Sequence, residues 1–143
     1  ITFHHPLYSP ASDRDNFEMR QLWKPLLDEF KVDLVLSGHD HAYSRTGLID
    51  AKKIENIPTG YQQAYDPEIG TVHVVSVSGP KMYKITKGKY AKKFGMNTQL
   101  YQIIDINNDN LRFRAYTATG KLYDEFILQK RKGKPNLLVE TNL

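Results

Sequence analysis

The sequence predicts an α/β fold: a strand, helix and strand unit with parallel strands, followed by an antiparallel β meander. Two β-rich apolar runs, residues 1–5 and 32–37, flank a stretch of helical periodicity, which is the pattern of a βαβ unit. Farther on, residues 100–106, 111–118 and 122–129 are β-rich and separated by Asn107-Asn108-Asp109-Asn110 and by Thr119-Gly120. Connections that short join antiparallel neighbours.

Each element carries its own signal. Ile1-Thr2-Phe3-His4-His5 stops at Pro6, and residues 6–15 are full of Pro, Ser and Asp, so the first strand runs into a loop. Met19, Leu22, Trp23, Leu26, Leu27 and Phe30 recur at three- and four-residue steps and form one apolar stripe, with Asp15 and Glu18 spaced as a capping box. Pro25 removes a backbone donor inside that stretch, which predicts a kink or two helical pieces. Residues 32–37, apolar except for Asp33, end at Gly38-His39-Asp40-His41, as a buried strand delivering a loop does. A right-handed crossover brings the C-terminal ends of both strands to one sheet edge, where open α/β sheets bind ligands. Pro58, Gly60 and Pro67 mark residues 47–69 as a long irregular connection, and residues 71–78 are a third strand closed by Gly79-Pro80.

Composition narrows the function classes. The 143 residues are 40% hydrophobic and 25% charged, ordinary for a single globular domain. No run approaches the roughly 20 apolar residues of a membrane helix. Cysteine is absent, which removes disulfides, thiolate ligands and thiol catalysis. The net charge of +4 gathers in residues 81–93 and in Lys130-Arg131-Lys132-Gly133-Lys134. Without a zinc-finger, helix-turn-helix or RNA-recognition signature, this predicts solvated surface and a frayed tail, and no nucleic-acid partner. The chain opens on a strand already under way, without Met, and is expected to be a piece of a longer protein.

Four of the five histidines fall in two clusters, His4-His5 and His39-Asp40-His41, each at the end of one of the expected parallel strands. Neutral imidazole is the commonest metal ligand, and two histidines flanking one residue can reach two adjacent ions from a single loop. Gly38 suits a sharp exit from the strand or a close backbone approach. Either cluster alone reads equally well as polar loop residues; both at one sheet edge point to metal. His73, alone within a strand, reads as structural.

Gly38-His39-Asp40-His41-Ala42-Tyr43-Ser44-Arg45-Thr46 resembles the histidine signature of the purple acid phosphatases. Ile1-Thr2-Phe3-His4 with His5-Pro6-Leu7-Tyr8-Ser9 is similar to another block of that family, and Met19-Arg20, Lys24-Pro25-Leu26-Leu27 and Lys31-Val32-Asp33 to the helix and strand between them. The likeness continues more loosely through Val77-Ser78-Gly79-Pro80-Lys81-Met82-Tyr83 to about Gln129. It implies the four-layer α/β/β/α sandwich of calcineurin-like metallophosphoesterases, with residues 1–130 as the C-terminal part of one domain and 131–143 as a basic, polar tail. It implies that His4 and His39 bind one metal ion and His41 another. His5, the residue after the first ligand, is then either catalytic or a polar neighbour supporting the ligands from behind, and no other residue is assigned a catalytic role. Asp40 orients a histidine or is a solvated loop aspartate, and Tyr8, Tyr43 and Arg45 serve packing or loop hydrogen bonds.

For the complete protein the resemblance implies hydrolysis of phosphate monoesters at a dinuclear centre, iron with zinc or manganese, acting on a phosphorylated small molecule or protein. The alternatives are phosphodiester or nucleotide hydrolysis, or a non-catalytic binding module with a remnant metal site. The remaining ligands, a bridging aspartate among them, belong to an upstream half whose Gly-Asp and Gly-Asn-His motifs do not occur in this sequence. By itself the chain is expected to bind a single ion weakly, to turn over little substrate, and to self-associate unless joined to that N-terminal half. A periplasmic or extracellular parent is expected. Lys81, Lys84, Lys87, Lys89, Lys92 and Lys93, with Tyr83 and Tyr90, either rim the cleft or form a solvated loop.

Overall fold

The computed structural model describes residues 1–49, 70–85 and 91–141. Its elements are α1 (Phe17–Glu29), β1 (Leu34–Ser37), β2 (Tyr43–Thr46), β3 (Val72–Val75), β4 (Ala91–Gly95), β5 (Leu100–Asn107), β6 (Asn110–Thr117), β7 (Leu122–Arg131) and β8 (Lys134–Glu140). One sheet has the order β1-β3-β2-β4, with β1 and β3 parallel and β2 antiparallel to both of its neighbours. The other is the antiparallel meander β5-β6-β7-β8. The first residues pair in parallel with β1 as expected, though only as a bridge between Thr2 and Leu36, with Phe3 N donating to Leu36 O at 3.2 Å.

Side-chain alternation along the strands sets the layers. Leu34, Val72 and Val74 join Leu100, Phe113, Ala115, Phe126 and Leu128 in a core between the two sheets. Val35 joins Leu7, Tyr8, Leu27 and Ile49 in a second core under α1. The result is a mixed α/β stack of helix, sheet and sheet. Among the described residues no helix is long and apolar enough to cross a membrane.

Helix α1 departs from the sequence reading in three ways. It is one continuous element with Pro25 inside it rather than two helical pieces, and Phe30 N closes its last turn on Leu26 O at 3.0 Å. The capping box does not form: Asn16 is the N-cap and donates its side-chain amide to Pro6 O at 2.6 Å, while Asp15 accepts from Arg20 at 2.7 Å. The apolar stripe is largely turned outward, Leu22 being 66% and Phe30 72% exposed, and the buried residues are Arg20, Lys24 and Leu27. The cause is carbonyl oxygens beneath the helix. Arg20 donates to Leu7 O at 2.8 Å, and Lys24 to Ile49 O at 2.6 Å and to Asp28 at 2.8 Å. Long cationic stems pack against the sheet while their heads stay hydrogen-bonded.

The basic run at the end is not a frayed tail. It forms the β7–β8 hairpin, turning at Gly133 with φ +70°, and Leu138 of β8 pairs with Leu128 and packs on the core. Lys92 and Lys93, expected in a loop, lie in β4. Strand β2 carries the polar sequence Tyr-Ser-Arg-Thr in a wholly buried position and was not anticipated. Residues 50–69 of the expected long connection, and Lys87, Lys89 and Tyr90, lie outside the described residues.

Candidate metal centre

The two histidine clusters meet because the chain beyond Thr2 runs beside the exit of β1. Gly38 N donates to His4 O at 3.1 Å, and His39 Nδ1 then lies 3.1 Å from His4 Nε2. The His5 ring centroid is 4.0 Å from that of His39. The sharp turn falls on His39 itself, at φ +60°. A non-glycine residue there costs about 1–2 kcal/mol, strain lodged at the residue that carries the imidazole. Gly38 is not among the positive-φ glycines, so the sharp exit expected of it falls one residue later, and a Cβ on it would meet His4 Nδ1 at 3.9 Å. Desolvation lowers the pKa of His39, with His5, Arg14 and His4 adding to the effect and Asp40 opposing it.

His41 is held separately. Its Nδ1 lies 3.0 Å from Lys81 O. A carbonyl only accepts, so in the neutral ring Nδ1 carries the proton and Nε2 keeps its lone pair. The ring stacks on Tyr83, with centroids 4.5 Å apart and planes 9° from parallel.

Asp40 neither orients a histidine nor faces water. It is fully buried and accepts from Ser9 Oγ at 2.5 Å and from Arg14 Nη1 at 2.7 Å. Between the two histidines, it ties their turn to the loop of residues 6–15. Tyr43 and Arg45, just beyond, reach the second sheet. Tyr43 donates to Asp124 at 2.6 Å; Arg45 donates to Asp124 from Nε at 2.6 Å and from Nη2 at 3.1 Å, and to Glu140 at 2.6 Å. Burial, then the neighbouring Asp124 charge, raises the Tyr43 pKa well above its ordinary value, so the hydroxyl remains a donor. His73 stands apart on β3, its ring edge-on to Tyr8 at 4.7 Å. Sequence reasoning missed Ser9, Arg14, Asp124 and Glu140, since only the fold brings them to the signature; Tyr83 was legible only as a rim residue.

The spacing of one donor pair matches a hydrogen bond between the two rings and also a shared ion. Two nitrogens bound to one ion at about 2.1 Å, at right-angled or tetrahedral positions, lie about 3.0–3.4 Å apart. The His4 and His39 nitrogens are 3.1 Å apart. Among the described residues no three His, Asp or Glu side chains gather into a ready-made cation site.

No protein-family model matches the chain. Uncharacterized proteins of two Mycobacterium tuberculosis strains are 34% identical to it over 86 residues, 55% of this chain and 16% of theirs. Purple acid phosphatase 23 of Arabidopsis thaliana is 32% identical over 112 residues, 77% of this chain and 22% of that protein. A solved purple acid phosphatase from yellow lupin (Lupinus luteus) seeds shares the fold, with a TM-score of 0.62 at 21% identity over 90% of this chain and 24% of that one. The chain is purple acid phosphatase-like. It corresponds to a C-terminal part of this calcineurin-like fold, and spans under a quarter of the length of the relatives it matches. The histidine turn and Arg45 thus sit in a purple acid phosphatase-like arrangement of two sheets, the meander supplying the carboxylates that hold the strand after His41.

Proposed function

We propose that this purple acid phosphatase-like chain is part of a metal-dependent phosphoesterase that hydrolyses phosphate monoesters, with His4 and His39 holding one cation and His41 another. The observation that supports it most is the approach of His39 Nδ1 to His4 Nε2 at 3.1 Å, from two strand ends. A bound metal pair would acidify a water molecule and neutralise phosphoryl charge. This chain's own residues hold and orient. His4 and His39 offer nitrogens spaced for one ion, and His41 offers Nε2 with its tautomer fixed from behind. The ammonium of Lys81, beside Tyr83, adds positive potential that would draw an anionic substrate, whereas the Arg14 charge is paired with Asp40. Iron with zinc or manganese is the expected pair, though imidazole donors also accept other first-row ions. The substrate would be a phosphorylated small molecule or protein, the remaining ligands would come from an upstream half, and the protein would act in the periplasm or outside the cell.

Elemental analysis and p-nitrophenyl phosphate hydrolysis test this on the 143-residue chain and on a longer protein containing it, each with His39→Ala and His41→Ala. Two ions and activity in the longer protein, both lost in the variants, would establish it. Faster hydrolysis of the bis-ester would reassign the substrate to phosphodiesters. A metal-free, inactive longer protein would sink the reading in favour of a binding module.

A further inference from the structure

His41 is held by one short segment on three sides. Its Nδ1 lies 3.0 Å from Lys81 O, its carbonyl accepts from Tyr83 N at 2.9 Å, and its ring lies flat on the Tyr83 ring. That segment is fixed from its far side, where Ser12 N donates to Lys84 O at 3.0 Å and Ala11 bridges Ile85. The Tyr83 ring is flanked by cations as well, the Arg14 guanidinium 5.7 Å and the Lys81 ammonium 5.3 Å from its centroid. Arg14 is in turn held by the buried carboxylate of Asp40, the residue before His41, at 2.7 Å. The clamp and the turn that carries His41 therefore close on each other.

We propose that Tyr83 is a positioning residue, which with the Lys81 carbonyl locks the His41 ring as the Nδ1–H tautomer and presents Nε2 outward. A half-turn of the ring about its Cβ–Cγ bond would put a carbon against Lys81 O and lose that hydrogen bond. The parallel Tyr83 ring closes the path by which the imidazole would tilt out of plane. A carbonyl behind one ring nitrogen is how proteins fix which nitrogen serves as ligand. The use of Nε2 as a metal donor rests on the phosphoesterase reading. The lock itself belongs to the chain without metal.

The test is long-range proton–nitrogen correlation NMR on the nitrogen-15-labelled 143-residue chain, metal-free and at about pH 8, above the ordinary imidazole pKa of about 6.5. The Nδ1–H tautomer alone is expected at His41 in wild type and in Tyr83→Phe, which keeps the ring. In Tyr83→Leu a mixture of tautomers is expected, with circular dichroism confirming the fold. A mixed or Nε2–H state in the wild type would overturn the proposal, whether or not the leucine variant folds. So would an unchanged tautomer in folded Tyr83→Leu. A locked tautomer together with a longer protein that proves metal-free would instead count against the metal reading and leave the clamp standing.

Discussion

His73 shows what one buried imidazole does to a small protein. It is 3% exposed in β3, neither ring nitrogen has a hydrogen-bond partner among the described residues, and its backbone N–H donates to Thr46 Oγ1 at 2.9 Å. Tyr8 packs edge-on to the ring, and α1 presents the cations of Lys24 and Arg20 toward it. Burial first, then Lys24, then Arg20, holds its pKa well below the ordinary value. The unfolded chain therefore binds this proton more tightly than the folded one. The stability is complete above the unfolded pKa of about 6.5 and is lost as the pH falls toward the folded pKa, by up to about 1.4 kcal/mol per pH unit. Melting temperatures measured between about pH 7.5 and about pH 5 should fall more steeply in wild type than in His73→Leu. Equal slopes would mean that other groups govern the acid limb.

Strand β2 is an element whose polar residues are buried because partners from another sheet await them. Arg45 is 3% and Asp124 1% exposed on their side chains, and Tyr43 shares the same carboxylate. Asp124→Ala leaves the guanidinium with Glu140, which is partly exposed, as its one carboxylate among the described residues, and should lower the free energy of urea unfolding by about 3–5 kcal/mol. Tyr43→Phe removes one hydrogen bond to a charged acceptor and should cost about 1.5–3 kcal/mol. A loss under about 1 kcal/mol for Asp124→Ala would show that water replaces the carboxylate. The neighbouring β4 is constrained sterically. A Cβ on Gly95 would lie 1.8 Å from the Tyr123 hydroxyl oxygen and 3.1 Å from the ring carbon bearing it. Gly95→Ala should destabilise by about 1–3 kcal/mol, and by less in a Tyr123→Phe background; additive costs in that cycle would mean the contact relaxes elsewhere.

At the scale of the molecule, α1 leaves apolar surface uncovered: Leu22, Trp23, Leu26 and Phe30 are all exposed. The isolated chain should self-associate in sedimentation velocity, and Leu22→Glu with Phe30→Glu should return it to a monomer; an association unaffected by that pair would lie on another face. The helix is where sequence reasoning went furthest astray, because apolar periodicity marks a face without saying what covers it. The meander was legible, since its turns are short and its strands β-rich. Strand β2 was not, because its burial depends on Asp124, distant in sequence, and β8 was hidden within a run of charge. The histidine clusters and the sheet edge that gathers them could be read from spacing, whereas the supports at Ser9, Arg14 and Tyr83 exist only once the loops have packed. His4 hangs from β1 through its own carbonyl and through the Phe3 bond to Leu36, and His39 follows directly from β1, whereas His41 travels with the segment around Tyr83. A shift of β1 carries the first two imidazoles as one body and leaves their separation unchanged. The third is held by the segment around Tyr83 as well, so a movement of that segment would change its distance from the other two.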